Sequence, residues 1–446
     1  MRIGLQLPPL RQRAPASRLA PLLDRRAAVW PTVSIVLLLC VSALLPPIVL
    51  TVMNATLVAL ALAVVVWAKE RLDPRLWRLM VPFVAMIFIG LASGVGAELY
   101  PYFKDAWYVG NPLLVIATGY VLFVARPDVN AGLRAFVVGG LIVSLWQMRP
   151  YYFAPELLLL PADTIRRSVG TGHYAPVLAL VIMLLLLGRW KAELRLPAWL
   201  VGVAFVIVAA AVAGVFSRTA LMVVLIALAA WLGCFARREW LRVGLPLLLL
   251  LCLGLLLQIF VDIESDRVLK TFTGKLARTL NELTVSDYNG LRDINLSFRG
   301  HETAQALLQF ATSSLPEMLF GRGFAATVDL GVLLPIELNE AGERVNVRFI
   351  TLLHNGYLFL LTKTGVAGLL LYLYALSILY MAGRPLAGLA APDPRRPIGR
   401  LLQACAVTLA ATTYIVGGVF NKQDMFPFML LTGYLLAWAR SHDASA

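Results

Sequence analysis

Roughly twelve apolar stretches, some short and some sharing a boundary, read as helices that cross about 30 Å of hydrocarbon and constrain this chain more than any other feature. They lie near 29 to 46, 48 to 68, 79 to 97, 109 to 125, 134 to 148, 173 to 188, 197 to 216, 219 to 235, 243 to 261, 352 to 381, 401 to 419 and 426 to 439. Pro46-Pro47 marks the turn between the first two, because proline stops a helix. With 60% hydrophobic and only 14% charged residues, the chain has too few charges to clothe a water-soluble fold of 446 residues. Lipid must cover the core. The expected fold is an all-α polytopic membrane protein.

The net charge of +14 raises the question of a polyanionic partner, and the positions of the charges answer it. Lys69-Glu70-Arg71, Arg189-Trp190-Lys191, Arg237-Arg238 and Arg395-Arg396 separate apolar runs, as cytoplasmic loops do under the positive-inside rule. With the arginine-rich N-terminus inside, twelve crossings return the C-terminus to the cytoplasm. On that count roughly 23 of the 39 Lys and Arg fall in cytoplasmic segments and about six in the short external loops. The charge therefore reports topology, and no nucleic acid is expected. Cys40, Cys234, Cys252 and Cys405 lie in or at the ends of apolar segments without disulfide or metal spacing, and read as small hydrophobes. No cleavable signal peptide is evident, so the first helix is expected to direct insertion.

The expected organisation is a cytoplasmic tail (1–28), nine spans (29–261), a large external loop (262–351), three spans (352–439) and a short cytoplasmic tail (440–446). The external loop holds nearly half of all Asp and Glu, and an ordered loop of this size is usually functional. Leu269, Phe272, Leu276, Leu280 and Leu283 follow helical spacing and predict an amphipathic helix. Thr303 to Phe310 suggests a second helix. Val328 to Ile336 and Val345 to Ile350 suggest a hairpin.

One of only four histidines, His354, stands where that loop runs into an apolar helix. A base is well placed there, although a polar residue marking a helix end reads equally well. The following stretch resembles the signature of the O-antigen ligase family: His354, Asn355, nine free positions, Gly365, two free positions and Gly368. Eleven residues make almost three turns, so His354, Gly365 and Gly368 are expected on one helix stripe, with the glycines admitting a neighbouring helix. The glycines also fit ordinary membrane packing. Lys363 lies within a span, where a charge suggests function, but it faces away from His354 and is left unassigned.

Arg218, in Ser217-Arg218-Thr219-Ala220, and Arg299, in Phe298-Arg299-Gly300-His301-Glu302, resemble positions where the family carries arginines that hold the donor. Arginine suits that task because its planar fork grips phosphate oxygens at two points. Their plainer readings are snorkelling to a lipid phosphate for Arg218 and a solvated loop charge for Arg299. Phe320-Gly321-Arg322-Gly323-Phe324 looks like the family's glycine-containing turn, while Thr303 departs from a tryptophan that relatives often carry. Arg166, Arg167 and His173 are weaker acceptor-binding candidates, with a solvated loop the simpler reading. Lys422 and Asp424 are a candidate surface pair. No cluster suggests a metal or nucleotide site, so neither metal nor cofactor is expected.

The resemblance implies a GT-C-like bundle of about twelve helices in the bacterial inner membrane, with one large periplasmic loop and the active site facing the periplasm. It implies glycan transfer from undecaprenyl pyrophosphate to a lipid A-core acceptor, inverting and metal-independent. His354 would act as general base, Arg218 and Arg299 would hold the pyrophosphate, and Asn355, Gly365 and Gly368 would support them. An O-antigen polymerase uses the same donor and is the nearest alternative. A polytopic transporter or flippase is the alternative from another class, but its polar groups would gather near the midplane.

Overall fold

A computed structural model describes residues 29–45, 47–67, 74–154, 174–190, 194, 196–215, 217–235, 294, 298–338, 344–390, 393–420 and 424–443. In chain order these form α1 (Trp30–Leu44), α2 (Pro47–Trp67), α3 (Pro74–Ser93), α4 (Leu99–Ala125), α5 (Val129–Phe153), α6 (Tyr174–Leu185), α7 (Ala198–Gly214) and α8 (Arg218–Leu232). Then come α9 (Phe298–Ala311), α10 (Leu315–Phe320), β1 (Val328–Leu338), β2 (Arg344–Ile350), α11 (Gly356–Ala387), α12 (Arg395–Val416), a 3-10 turn (Gly418–Phe420) and α13 (Phe426–Asp443).

Eleven of the expected spans coincide with helices, and the stretch 243–261 lies outside the described residues, as do the amphipathic helix from Leu269 to Leu283 and the tail 1–28. Leu76–Ser93, Leu99–Ala125, Val129–Phe153, Gly356–Ala387 and Arg395–Val416 are long and apolar enough to cross a membrane, and five shorter apolar helices accompany them. The chain is a largely helical, polytopic membrane protein. Several boundaries differ from expectation: α4 starts ten residues early, α3 and α5 start five early, α11 ends six late, α12 starts six early, and the short helix at Thr303 is the middle of α9. The hairpin expected in the loop is present within this mostly helical fold: β1 and β2 pair antiparallel from Val328↔Ile350 to Leu338↔Arg344, with register shifts that absorb the longer first strand. Arg348 holds Asp329 at two points, both 2.8 Å, and this keeps the Asp329 carboxyl below its usual range. The pair is well exposed and contributes little to stability.

The bundle is organised around α13, whose run from Phe426 to Ala439 is buried on every side. An all-round apolar helix belongs in such a centre. It crosses α4 at a reciprocal glycine contact: a Cβ added at Gly119 would collide with the Leu430 carbonyl, and one at Gly433 with the Ile116 carbonyl. Close backbone approach of this kind drives helix association in lipid, where apolar burial alone gives no preference. On the other flank α11 packs along α12, tied by the Tyr372 hydroxyl to Thr413 Oγ1 (2.6 Å) and by the Tyr357 hydroxyl to the Ala410 carbonyl (2.8 Å).

The turn after α10 is stitched into this bundle. The amides of Arg322 and Gly323 donate to the carbonyls of Thr362 (2.9 Å) and Lys363 (3.1 Å), and the amide of Phe324 to Gly90 in α3 (2.9 Å). Those α11 carbonyls accept from outside because Gly365, at φ 65° and ψ −164°, breaks the helix one turn on. Lys363, unassigned from the sequence, is 1% exposed and pairs with the equally buried Asp105 of α4 (2.5 Å) while donating to the Ala326 carbonyl (2.5 Å). Asp105 Oδ2 also accepts the amide of Ala325 (2.8 Å).

Removing one member of a buried pair leaves an uncompensated charge and typically costs about 3–5 kcal/mol. Lys363→Met alone is therefore expected to lower the unfolding temperature of the detergent-solubilised protein sharply, whereas Lys363→Met with Asp105→Asn recovers most of it. Equal stability of the single variant and wild type would show that the pair is not a structural tie.

Candidate active site

The site forms where α9, the start of α11 and the end of α12 meet. Asn355 is the N-cap of α11, its side-chain oxygen accepting the amides of Tyr357 (3.0 Å) and Leu358 (3.4 Å). A polar residue at the entry of an apolar helix is thus a cap that satisfies otherwise orphaned amides. His354 precedes the cap and is not part of the helix. This corrects the expected stripe: with His354 outside the helix and Gly365 breaking it, regular periodicity cannot align His354, Gly365 and Gly368. Gly365 instead lets the end of α10 approach, since an added Cβ would lie 2.5 Å from the Gly321 nitrogen and the Leu319 carbonyl. An added Cβ at Gly368 would strike the Thr364 side chain of its own helix, so its role is local to the break.

Helix α9 supplies the opposite wall. Its neighbour is the hairpin, against which Phe298 packs alongside Ile294, Leu330 and Leu334, and His301 Nε2 lies 2.9 Å from the Leu330 carbonyl. So anchored, α9 presents Arg299 and, one turn later, Glu302. Glu302 is 2% exposed and engages His354 twice. Its Oε1 accepts the His354 amide at 2.5 Å, and its Oε2 lies 2.8 Å from His354 Nδ1. The Phe298 ring meets the imidazole edge-on, 5.7 Å between centroids. The imidazole nevertheless stays 47% exposed. It faces a small cleft lined by Arg299, Glu302, Thr303, His354, Asn355, Tyr414 and Ile415.

The structure thus brings Arg299, His354 and Asn355 to one cleft. Arg218 lies outside that lining, as the first residue of α8, which Ser217 caps by accepting the Ala220 amide (3.3 Å). Helix α8 packs on α12, and Arg400 near the start of α12 donates to the Trp231 carbonyl near the end of α8. The two helices are therefore antiparallel, and a rise of about 1.5 Å per residue puts Arg218 at the Tyr414 end of α12, the end that carries the cleft. Arg166, Arg167, His173 and Lys422 lie outside the described residues. Among the described residues no group of three or more His, Cys, Asp or Glu is disposed to hold a metal ion.

Sequence reasoning missed Glu302 and Tyr414. The signal for Glu302 was present: it is a carboxylate one helical turn beyond a candidate phosphate-binding arginine. Tyr414 gave no signal, since a tyrosine at the end of an apolar helix is an ordinary interfacial residue.

Residues 203–373 match the family model described as O-antigen ligase. The matched segment runs from α7 into α11 and includes Arg218, Arg299, Glu302, His354, Gly365 and Gly368. No curated protein matches the chain.

The capping geometry makes Asn355 a test of local construction. Replacing an N-cap by alanine costs roughly 0.5–2 kcal/mol. Asn355→Ala is expected to lower thermal stability by an amount in that range, and Asn355→Ser to retain most of it. Identical melting of the alanine and wild-type proteins would contradict the assigned cap.

Proposed function

From the match of residues 203–373 to the O-antigen ligase family model, we propose that this protein transfers a glycan from undecaprenyl pyrophosphate to a lipid A-core acceptor at the periplasmic face of the bacterial inner membrane. The observation that carries the reading is the convergence of His354 and Arg299 on one open cleft at one end of the helical bundle. A general base and a fixed cation are the two groups that direct displacement at a sugar carbon requires when the leaving group is a diphosphate.

In the proposed step the His354 imidazole takes the proton from an acceptor hydroxyl as that oxygen bonds to the anomeric carbon. The bond from that carbon to the phosphate oxygen breaks, and the configuration inverts. Polyprenyl pyrophosphate departs with the bonding electron pair, and Arg299 stabilises the charge that develops on it. Arg218, at the same end of the bundle, provides a second guanidinium as the diphosphate spans from the cleft toward α8. The reaction as proposed needs no metal. The exposed half of His354 and the open mouth of the cleft suit an acceptor that enters from water while both lipid tails stay in the bilayer.

Purified protein reconstituted with lipid-linked glycan and core acceptor tests this reading. His354→Ala is expected to lose about 10²-fold or more in transfer rate, the usual scale of general-base catalysis. Arg299→Lys and Arg218→Lys are also expected to lose most activity, because a point charge does not reproduce a two-pronged grip. Full activity in the Lys variants would defeat the bidentate account, and transfer that requires added metal after chelation would defeat the metal-free one. Product that grows by glycan added to lipid-linked glycan, with the core acceptor unused, would identify a polymerase. Transbilayer movement of the donor without any transfer would identify a flippase.

A further inference from the structure

We propose that Glu302 is the positioning residue of this site: its buried carboxylate holds His354 with the proton on Nδ1 and the basic lone pair on Nε2, turned to the cleft. The inference rests on the transferase reading above and names the group that makes its base competent.

With Glu302 as a carboxylate both its oxygens are acceptors, and the ring nitrogen 2.8 Å from Oε2 is then the donor. In a neutral imidazole the other nitrogen, Nε2, is then the acceptor. Glu302 fixes more than the tautomer. Its second oxygen takes the His354 backbone amide, so one carboxylate holds both the main chain and the ring of the same residue. Together with the edge contact from Phe298, this leaves the imidazole little freedom to rotate. Glu302 is 2% exposed while the His354 side chain is 47% exposed, and the ring edge opposite Nδ1 is the one that bears Nε2. When Nε2 takes up the acceptor's proton, the resulting imidazolium faces a carboxylate already in place, with no rearrangement.

The same helix turn carries Arg299, three residues before Glu302. Helix α9 therefore fixes the distance between the diphosphate grip and the oriented base. It is itself held to the hairpin by His301 and to α11 by Glu302.

The variants Glu302→Gln, Glu302→Asp and His354→Ala, assayed in the reconstituted system with lipid-linked glycan and core acceptor, separate the possibilities. Glutamine replaces one of the two accepting oxygens with an NH₂ donor, so in this geometry only one of the two contacts to His354 keeps its acceptor. Glu302→Gln is expected to lower kcat by about 10²-fold or more while the donor KM changes by less than about threefold. Glu302→Asp is expected to restore part of that loss, and adding Glu302→Gln to His354→Ala to lose little further. Full kcat in Glu302→Gln beside an inactive His354→Ala would overturn the positioning role and leave the transferase reading standing. Full activity in His354→Ala would overturn both.

Because Glu302→Gln also removes a packing contact, a second measurement reads the tautomer in the unmodified protein. The ¹⁵N spectrum of histidine-labelled protein in lipid, with His354 assigned by difference from His354→Ala, is expected to show Nδ1 protonated and Nε2 bare at alkaline pH. The opposite tautomer would overturn the proposal whatever the activities.

Discussion

A helix broken inside a membrane bundle must find new partners for its freed carbonyls, and that requirement shapes this protein. The interruption at Gly365 leaves Thr362 and Lys363 without their usual intrahelical donors, and the turn after α10 supplies them. Lys363 reaches from the same point to Asp105 and to the Ala326 carbonyl, so α3, α4, α11 and residues 322–326 share one polar node. Buried polar groups are tolerated only when satisfied, and here nearly all of them are; Asp105 Oδ1 alone in this node has no partner among the described residues.

The site follows from that node. The turn at 322–326 runs directly into β1, β1 packs on α9, and α9 delivers Glu302 to His354 at the entry of the helix that Gly365 later breaks. The hairpin and α9 are thus tied to the bundle at both ends of the same stretch of α11. In the proposed reaction, an imidazole held by two hydrogen bonds from one carboxylate and a guanidinium one turn away on a helix so anchored would form a preorganised pair. Tyr414 and Ile415 at the end of α12 complete the lining of the cleft.

Much of the fold was legible in the sequence because lipid imposes a single simple rule, long apolar runs, on most of the chain. The hairpin was legible from the alternation around Val328 and Val345, and His354 from its position at a loop-to-helix boundary. What failed was the assumption that α11 is regular from His354 onward. Glycine in a membrane helix usually means packing, and nothing local distinguishes a glycine that admits a neighbour from one that also breaks the helix. The partner of Lys363 is 258 residues away and that of His354 is 52 away, so neither pairing has a local signature. Glu302 stands one helical turn beyond Arg299 in the sequence, but its burial against His354 is visible only in the fold. For Arg218 the antiparallel packing of α8 on α12 gives its end of the bundle, a relation that spacing along the chain does not contain.

The central claim of the proposal is spatial: the His354 imidazole and the Arg299 guanidinium serve a single diphosphate-linked sugar. The most direct measurement is an experimentally determined structure of the protein in lipid with a non-reactive polyprenyl-pyrophosphate glycan bound. The account predicts phosphate oxygens within hydrogen-bond distance of the Arg299 guanidinium and the anomeric carbon facing the His354 imidazole across the space an acceptor hydroxyl would fill. A diphosphate seated elsewhere in the bundle, with the Arg299–His354 cleft vacant, would contradict it.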